Sequence, residues 1–337
     1  MKEALLYQKL DKNKAQCNLC AHRCLIDSGK AGICMVRENI AGLLYTKVYG
    51  RTIAQHIDPV EKKPLYHFYP GSKAYSIATP GCNFHCIFCQ NWDISQITNI
   101  EILESGQQAT PEQIVWNAKN TGCKSIAYTY TEPTIFFEYS YDTARLAHEA
   151  GLKNIYVSNG YMTHEMLDMI RPYLDAVNID LKAFREETYR RIIGARLQPV
   201  LDNLKNIKQM DIWLEVTSLI IPGINDDPKE IRNMADFVAG ELGADVPWHI
   251  SSFFPAYKMK DVPQTPIQTL QLAKEIGLEA GLNYVYIGNT SNTGDINTKC
   301  PQCSYVLIER LNFGIIKNNI KEGHCPNCGT QIAGVGL

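Results

Sequence analysis

The chain has 337 residues, 45% of them hydrophobic, which is enough for one large globular domain with small additions or for two domains. Its formal net charge of -2 does not fit a strongly basic surface, so we do not expect a nucleic-acid partner. Residues 1–16 lack the apolar core of a signal peptide, and no apolar run reaches the roughly 18 residues of a membrane span. We therefore expect a cytoplasmic protein without a membrane partner.

Most of the twelve cysteines fall into three groups whose spacings are typical of metal ligands. So many cysteines in a small secreted chain would suggest disulfide bonds, but grouped thiols favour metal sites in a reducing compartment. Cys123 lies outside the groups and follows Gly122 at the start of an apolar run. We interpret it as a buried packing residue.

The first group lies in a predicted N-terminal module, residues 1–72. Its spacing is Cys17-x2-Cys20-x3-Cys24-x9-Cys34. Four thiolates complete either a tetrahedral zinc site or a second iron–sulfur cluster, and the spacing does not decide between them. Such a site would fold a segment that has little apolar core of its own. The alternative role is an electron relay, which requires proximity to the central cysteine group.

The end of this module, residues 51–72, combines prolines with interleaved aromatic residues. This composition predicts an ordered loop that packs on another part of the protein rather than a free linker. Lys62 and Lys63 could hold an anionic substrate, but a solvated pair of charges is the simpler interpretation.

Residues 73–289 alternate strand-like apolar runs with amphipathic stretches of helical length. The predicted strands are Ala74–Thr79, Ser125–Tyr130, Asn154–Ser158, Ala176–Leu181, Trp213–Ile221, Trp248–Ser252 and, as a possible seventh, Tyr284–Gly288. The predicted helices are Pro111–Thr121, Ile135–Ala150, His164–Tyr173, Arg185–Met210 with a break near Pro199, Pro228–Leu242 and Ile267–Ala280. This alternation predicts an α/β fold, a partial (βα)6 TIM-type barrel, although a doubly wound sheet has the same periodicity.

The second cysteine group, Cys82, Cys86 and Cys89, directly follows the first predicted strand, after a Pro80-Gly81 break. Three thiolates this close together suit a [4Fe-4S] cluster that keeps one iron free for another ligand. A zinc knuckle or a set of buried thiols is the alternative.

Polar residues follow five further predicted strands, and ligand-binding residues of such sheets gather at the carboxyl ends of strands. The candidates are Glu132, Asn159, Asp180, Lys182, residues 217–225 and His249. Asp180 and Lys182 lie two residues apart on one strand face, so they could instead pair with each other. Asn159-Gly160 is also a common turn sequence.

Residues 290–337 form the predicted C-terminal module, and Asn289–Thr298 has the composition of a linker. Two CxxC pairs follow, Cys300 with Cys303 and Cys325 with Cys328. Paired CxxC knuckles around a short strand-rich segment, Tyr305–Ile308 and Gly314–Ile316, predict a zinc ribbon or a rubredoxin-like iron site.

The central cysteine spacing, with aromatic Phe88 just before the last thiol, resembles the signature of radical S-adenosylmethionine enzymes. Together with Glu132-Pro133, Ser158-Asn159-Gly160 and residues 178–182, it resembles the pyruvate formate-lyase activating enzymes. The terminal cysteine modules, residues 61–65 and residues 284–289 resemble the radical enzyme of the AmmeMemoRadiSam group, over nearly the whole chain.

The resemblance implies that the three central cysteines hold a [4Fe-4S] cluster whose free iron binds S-adenosylmethionine, with Phe88 beside it. It implies that Glu132 binds the methionyl amino group of S-adenosylmethionine. Asn159, Asp180 and Lys182 would line the carboxylate and ribose side, and His249 would lie near the adenosyl group. The sequence departs from the pattern of the activating enzymes at two positions, because Tyr130 and Thr131 stand where those enzymes have paired glycines.

The implied reaction is reductive cleavage of S-adenosylmethionine to a 5′-deoxyadenosyl radical that abstracts hydrogen from an unidentified small molecule or protein. A one-electron donor such as ferredoxin or flavodoxin would be the partner. A glycyl-radical enzyme activase is the second hypothesis, and a non-catalytic, zinc-stapled interaction protein is the third.

Overall fold

The computed structural model describes residues 1–97, 100–290 and 296–337. The middle of the predicted linker, residues 291–295, lies outside the described residues. Within the described part of the chain, no helix is both long enough and apolar enough to cross a membrane.

Short antiparallel strands organise the N-terminal residues, where the sequence predicts a small metal-bound module. They are β1 (Lys2–Glu3), β2 (Tyr7–Leu10), β3 (Lys14–Cys17), β4 (Leu25–Ile26), β5 (Arg37–Ile40), β6 (Leu43–Thr46) and β7 (Arg51–Thr52). β1, β6 and β5 form one three-stranded sheet, and β2, β3 and β4 form another. Cys17 ends β3, and Cys20, Cys24 and Cys34 lie in the segments between these strands.

A large sheet follows and forms the centre of the protein. The strands of this region are β8 (Ala54–Pro59), β9 (Lys73–Ala78), β10 (Gln107–Gln108), β11 (Ser125–Tyr128), β12 (Lys153–Ser158), β13 (Ala176–Asp180), β14 (Trp213–Ile220), β15 (Trp248–Ser252) and β16 (Val285–Gly288). β10 pairs with β7, and the others form one eight-stranded sheet in the order β8-β9-β11-β12-β13-β14-β15-β16. Strands β9 to β16 of this sheet are parallel, and β8 is antiparallel to β9. Among the described residues the first and last strands do not pair, so the barrel is partly open.

Helices connect the parallel strands, as parallel pairing requires. They are α1 (Trp92–Ser95), α2 (Ile100–Glu104), α3 (Pro111–Asn120), α4 (Phe137–Glu149), α5 (His164–Ile170), α6 (Glu186–Thr188), α7 (Gln198–Gln209), α8 (Pro228–Phe237) and α9 (Ile267–Glu279). Thr110 caps α3: its hydroxyl accepts the Gln113 N–H (3.3 Å), and the Gln113 side chain accepts the Thr110 N–H (2.8 Å). This capping box explains why the predicted start of α3 is confirmed.

The seven predicted strands are confirmed, each end within two residues of its predicted position. The predicted helix break near Pro199 is misplaced, because Pro199 lies in the first turn of α7, where a missing N–H costs little. The break lies instead at Gly194, whose φ of 82° ends the preceding turn. Strand β8 was not predicted, and it extends the sheet into the predicted loop 51–72.

The C-terminal residues form a three-stranded antiparallel sheet of β17 (Thr298–Lys299), β18 (Val306–Leu311) and β19 (Gly314–Asn318). Arg310 joins it to the barrel: the guanidinium is buried and donates to the Tyr66 carbonyl oxygen at 2.8 Å. His67 adds a second link, since its Nδ1 lies 2.7 Å from the Ala333 carbonyl oxygen.

A buried ion pair joins the N-terminal strands to the barrel. Arg37 at the start of β5 is 1% exposed and pairs with Glu138 of α4, which is fully buried. The Leu5 N–H also donates to Glu138, at 2.6 Å. Removing one partner of such a pair leaves an uncompensated charge in a site of low dielectric constant.

Replacing Glu138 with leucine should therefore lower the free energy of unfolding by about 3–5 kcal/mol. Glu187 pairs with Arg191 at the surface and is the matched control. Glu187→Leu should change the free energy by less than about 0.5 kcal/mol. Urea titration followed by tryptophan fluorescence measures both, and equal losses in the two variants would refute the role assigned to the buried pair.

Candidate functional site

The central cysteine loop begins where β9 ends, at the carboxyl edge of the parallel sheet. Gly81 opens it with a φ of 103°, a conformation that favours glycine. A Cβ at Gly81 would lie 2.7 Å from Val36 Cγ1 and 3.4 Å from the Cys34 carbonyl oxygen. The loop is therefore packed directly against the N-terminal module.

Cys82, Cys86 and Cys89 line one cavity of about 230 Å³ that opens to solvent. Burial raises the pKa of the Cys82 thiol well above its usual range and the pKa of the Cys86 thiol to about 12. Cys89 Sγ lies 3.2 Å from the hydroxyl of Ser95, a residue that the sequence analysis did not single out. Thiolates in such a site need a nearby cation.

Glu132 lies in the wall of this cavity, 1% exposed, with its carboxylate held by hydrogen bonds. Oε1 accepts from the Thr134 N–H (2.9 Å), the Thr134 hydroxyl (2.6 Å) and the Ser158 hydroxyl (2.8 Å). Oε2 accepts from the Asn159 N–H (2.8 Å). Burial raises the pKa of Glu132, whereas these hydrogen bonds favour the ionised form. Oε2 keeps the capacity for one more donor.

Asn159 connects the end of β12 to the cysteine loop. Its Nδ2 donates to Asn83 Oδ1 at 2.7 Å and lies 3.8 Å from Cys82 Sγ. The next residue, Gly160, has a φ of 71°, and a Cβ there would lie 2.8 Å from Ile179 Cγ2. The turn interpretation of Asn159-Gly160 is therefore confirmed, and the turn also brings Asn159 to the cavity.

Asp180 and Lys182 line the same cavity and pair with each other, with 2.9 Å between Oδ2 and Nζ. The pairing that the sequence left as an alternative is thus formed. Burial alone would lower the pKa of Lys182, but the negative charges of Asp180 and Cys86 raise it. Lys182 therefore remains a cation beside the cysteine group.

Tyr130 lines the cavity in a way that the sequence did not predict. Its φ is 64°, the left-handed region that glycine adopts easily. The hydroxyl donates to Asp58, the carbonyl oxygen accepts from Asn91 Nδ2 at 2.8 Å, and Lys63 Nζ lies 4.3 Å from the ring centroid. These contacts hold Tyr130 in a left-handed backbone conformation that is unfavourable for a residue other than glycine.

The two lysines of the loop 51–72 both pair with Asp58, Lys62 at 2.9 Å and Lys63 at 2.7 Å. The side chain of Lys63 is 1% exposed, so the interpretation as a solvated pair is wrong for Lys63. The side chain of Lys62 is 44% exposed and lines a second cavity.

This second cavity adjoins the first, because Thr217 and Ser251 line both. It is open to solvent and has a volume of about 650 Å³. His249 lines the second cavity, and it is not among the described residues that line the first. His249 Nε2 lies 2.6 Å from Oε2 of the buried Glu215, which also accepts the Tyr66 N–H at 3.0 Å. Glu215 lacks a motif that could have identified it from sequence.

The four C-terminal cysteines form a compact group whose sulfurs all lie within 4.8 Å of one another. The sulfurs of Cys300 and Cys328 are 3.6 Å apart, and those of Cys303 and Cys325 are 3.7 Å apart. A tetrahedral ion with metal–sulfur bonds of about 2.3 Å holds its sulfurs about 3.8 Å apart. Hydrogen bonds with Thr330 lower the pKa of the Cys328 thiol to about 6. The group therefore fits a single metal ion.

The sequence pattern of the Radical SAM superfamily matches residues 76–238, which contain the cysteine loop and Glu132. The chain therefore contains a radical SAM domain. It is 45% identical over 334 residues to an uncharacterized protein of Methanocaldococcus jannaschii, covering 98% of this chain and 99% of that protein. A radical SAM domain implies that the protein uses a [4Fe-4S] cluster and S-adenosylmethionine.

This radical SAM protein is also 20% identical over 162 residues to the pyruvate formate-lyase 1-activating enzyme of Escherichia coli, covering 47% of this chain and 65% of that enzyme. Two solved structures share its fold. Streptococcus suis SuiB bound to S-adenosylmethionine matches with a TM-score of 0.51 at 11% identity, over 69% of this chain and 53% of SuiB. A radical SAM methyltransferase from Sphaerobacter thermophilus matches with a TM-score of 0.50 at 14% identity, over 70% of this chain and 71% of that chain.

The residues of the first cavity fit the cluster that the superfamily implies. Among the described residues that line it, no fourth cysteine and no histidine is present. Among the described residues, the C-terminal group is the one place where three or more candidate ligand atoms lie within 4.8 Å of one another. The three central sulfurs do not meet this limit. The three central sulfurs are therefore too widely spread for one ion, as expected when each thiolate binds a different iron.

We expect Cys328→Ala to release the ion of the C-terminal group, because three thiolates remain where four complete a tetrahedral site. Metal analysis by mass spectrometry should show one metal equivalent fewer per chain. Gln302→Ala, an exposed change between two of the ligands, is the control and should retain the ion. Unchanged metal content in Cys328→Ala would contradict the assignment.

Proposed function

We propose that this radical SAM protein is an enzyme that cleaves S-adenosylmethionine reductively and takes a hydrogen atom from a substrate not yet identified. The bound cluster and S-adenosylmethionine would together supply a 5′-deoxyadenosyl radical. The observation that carries the proposal is one cavity in which three buried or half-buried thiols meet the polar ends of neighbouring parallel strands. The strand-end residues of this cavity include Glu132, Asn159, Asp180, Lys182 and Thr217.

Cys82, Cys86 and Cys89 hold the cluster in this proposal. Lys182 balances part of the negative charge of the thiolates, which its position beside Cys86 supports. Phe88, 3% exposed, lines the same cavity and gives it an apolar wall that limits access of water.

Glu132 binds the methionyl amino group through the remaining acceptor capacity of Oε2. Its other hydrogen bonds fix the carboxylate before the ligand arrives, so less side-chain entropy is lost on binding. Asn159 and Asp180 line the same cavity and offer an amide and a carboxylate group to the carboxylate and ribose of S-adenosylmethionine. Each is already oriented, Asn159 by Asn83 and Asp180 by Lys182.

The second cavity is the proposed substrate site. It adjoins the first at Thr217 and Ser251, so a substrate there would be next to the adenosyl group. Its walls combine aromatic side chains with polar ones, and they come from the barrel and from the β18–β19 turn. The aromatic residues are Tyr66, Phe254 and Phe313, and the polar ones include Lys62, His249 and Gln264.

Within the superfamily, the resemblance of both cysteine modules supports the AmmeMemoRadiSam group. The second candidate is a glycyl-radical enzyme activase, which the identity to the Escherichia coli activating enzyme supports. Either function needs a one-electron donor such as ferredoxin or flavodoxin. A glycyl-radical signal in electron paramagnetic resonance, after mixing with a glycyl-radical enzyme, distinguishes the activase from the other proposal.

Cys86→Ala should reduce the formation of 5′-deoxyadenosine to the level of a protein-free control, because the cluster loses one of only three ligands. The product is measured by mass spectrometry after anaerobic reconstitution, with dithionite as reductant. Cys123→Ser is the matched control, since Cys123 is buried but outside every cysteine group, and it should retain the activity. Retained cleavage in Cys86→Ala would overturn the proposed function.

Glu132→Gln should weaken binding of S-adenosylmethionine about tenfold or more, since a hydrogen bond between charged groups contributes about 1.5–3 kcal/mol. The iron content should not change. Isothermal titration of the reconstituted protein measures the affinity. Glu230→Gln alters a buried carboxylate that accepts the Phe184 N–H away from the cavity, and it is the control. Equal affinity in both variants would remove Glu132 from the binding site.

A further inference from the structure

The four N-terminal cysteines, separated along the chain, converge on one cavity. Cys17 ends β3, Cys20 and Cys24 lie in the following segment, and Cys34 precedes β5. Arg37 and Asn83 contribute to the same wall. Asn83 belongs to the central cysteine loop, so the two cysteine groups share a side chain between them.

Among these four sulfurs, no three lie within 4.8 Å of one another, which is wider than the arrangement around a single zinc ion. In the described part of the chain, the C-terminal group is the one place where three or more candidate ligand atoms lie within 4.8 Å of one another. Its pairs at 3.6 Å and 3.7 Å match the roughly 3.8 Å expected around one tetrahedral ion. The N-terminal sulfurs line one cavity but are spread more widely. A cluster that attaches each thiolate to a different iron requires this wider spread.

Two buried donors in the wall have no acceptor in the part of the chain that the structure describes. Arg37 Nε and Asn83 Nδ2 are both buried, and neither has a hydrogen-bond partner among the described residues. Arg37 also points one Nη1 donor at Cys17 Sγ, at 3.5 Å. Buried donors are almost always satisfied. Cluster sulfides and cysteine sulfurs are acceptors that accommodate such donors, and hydrogen bonds to them adjust the reduction potential.

The cavity is also in direct contact with the central site. His22, two residues after Cys20, lies with its Nε2 2.8 Å from the carbonyl oxygen of Asn83. Asn83 is covalently joined to Cys82 and accepts a hydrogen bond from Asn159. On the other side of the loop, a Cβ at Gly81 would lie 3.4 Å from the Cys34 carbonyl oxygen. The segments that carry the two cysteine groups are therefore in direct contact, and the hydrogen bond between His22 and Asn83 links them.

We infer that Cys17, Cys20, Cys24 and Cys34 hold a second [4Fe-4S] cluster that carries electrons to the central site. One electron enters from a low-potential one-electron reductant, such as a ferredoxin-type protein, and one electron leaves to the central cluster. The second cluster returns to its starting oxidation state, and no bond or proton is exchanged. The role of this cluster as an electron relay rests on the proposed function of the central site. The presence of a [4Fe-4S] cluster at the N-terminal cysteines does not rest on it.

The first experiment removes the three central cysteines and measures the iron and sulfide that the chain still binds. The full chain with Cys82, Cys86 and Cys89 replaced by alanine is reconstituted anaerobically with iron and sulfide. About four irons and four sulfides per chain should be retained, besides the metal of the C-terminal group. Zinc in place of this iron, or iron near zero, would overturn the inference. Loss of S-adenosylmethionine cleavage has no bearing on this count, so the two proposals fail separately.

A second variant guards against misfolding of the first. Cys20→Ala with Cys34→Ala, in a chain with the central cysteines intact, should lose about half of the cluster iron. It should keep the spectrum and S-adenosylmethionine affinity of the central site. Full iron content in this variant would also overturn the inference.

The relay is tested by electron paramagnetic resonance of the dithionite-reduced proteins. Two clusters in contact should interact magnetically, so the intact protein should give a broader and faster-relaxing signal than the sum of the two variants. A spectrum of the intact protein equal to that sum would overturn the relay and leave only a structural cluster.

Discussion

The placement of the buried or half-buried Cys82, Cys86 and Cys89 thiols at the carboxyl edge of a parallel sheet is the constraint on which the rest of the site depends. Burial raises the pKa of the Cys82 and Cys86 thiols, so thiolates at this position require a compensating cation. Parallel strands all end at the same edge, which is why Glu132 and Lys182 reach the cavity from strands distant in sequence. The sheet therefore supplies both the ligands and the charge balance around them.

Both small modules are joined to this sheet by buried polar contacts. Arg37 of β5 forms an ion pair with Glu138 of α4, and Arg310 of β18 donates to the carbonyl oxygen of Tyr66. Such contacts require defined partners and distances, so they set the position of each module more narrowly than apolar packing does. As a result the N-terminal cysteines contact the central loop, while the β18–β19 turn reaches the second cavity through Phe313. The modules complete the surroundings of the barrel site.

Much of this arrangement could be predicted because it depends on local patterns. The seven parallel strands follow from apolar runs with turn residues at their ends, and the start of α3 follows from its capping box. The edge strand β8 was missed because Pro59 and charged Asp58 are unusual in strands, and only pairing with β9 stabilises it. Tyr130 in a left-handed conformation was missed for a similar reason, since Asp58 and Lys63 hold it from another segment.

The sequence by itself determined which thiols exist, how they are grouped and which strand each polar residue follows, because these properties depend on neighbours along the chain. Tertiary structure alone decided the distances between groups. It brought the C-terminal sulfurs within 4.8 Å of one another, spread the other cysteine groups more widely, and paired His249 with Glu215 beside a separate cavity. The physical reason is that the separation between side chains on different segments is set by packing and burial, to which spacing in the sequence contributes nothing.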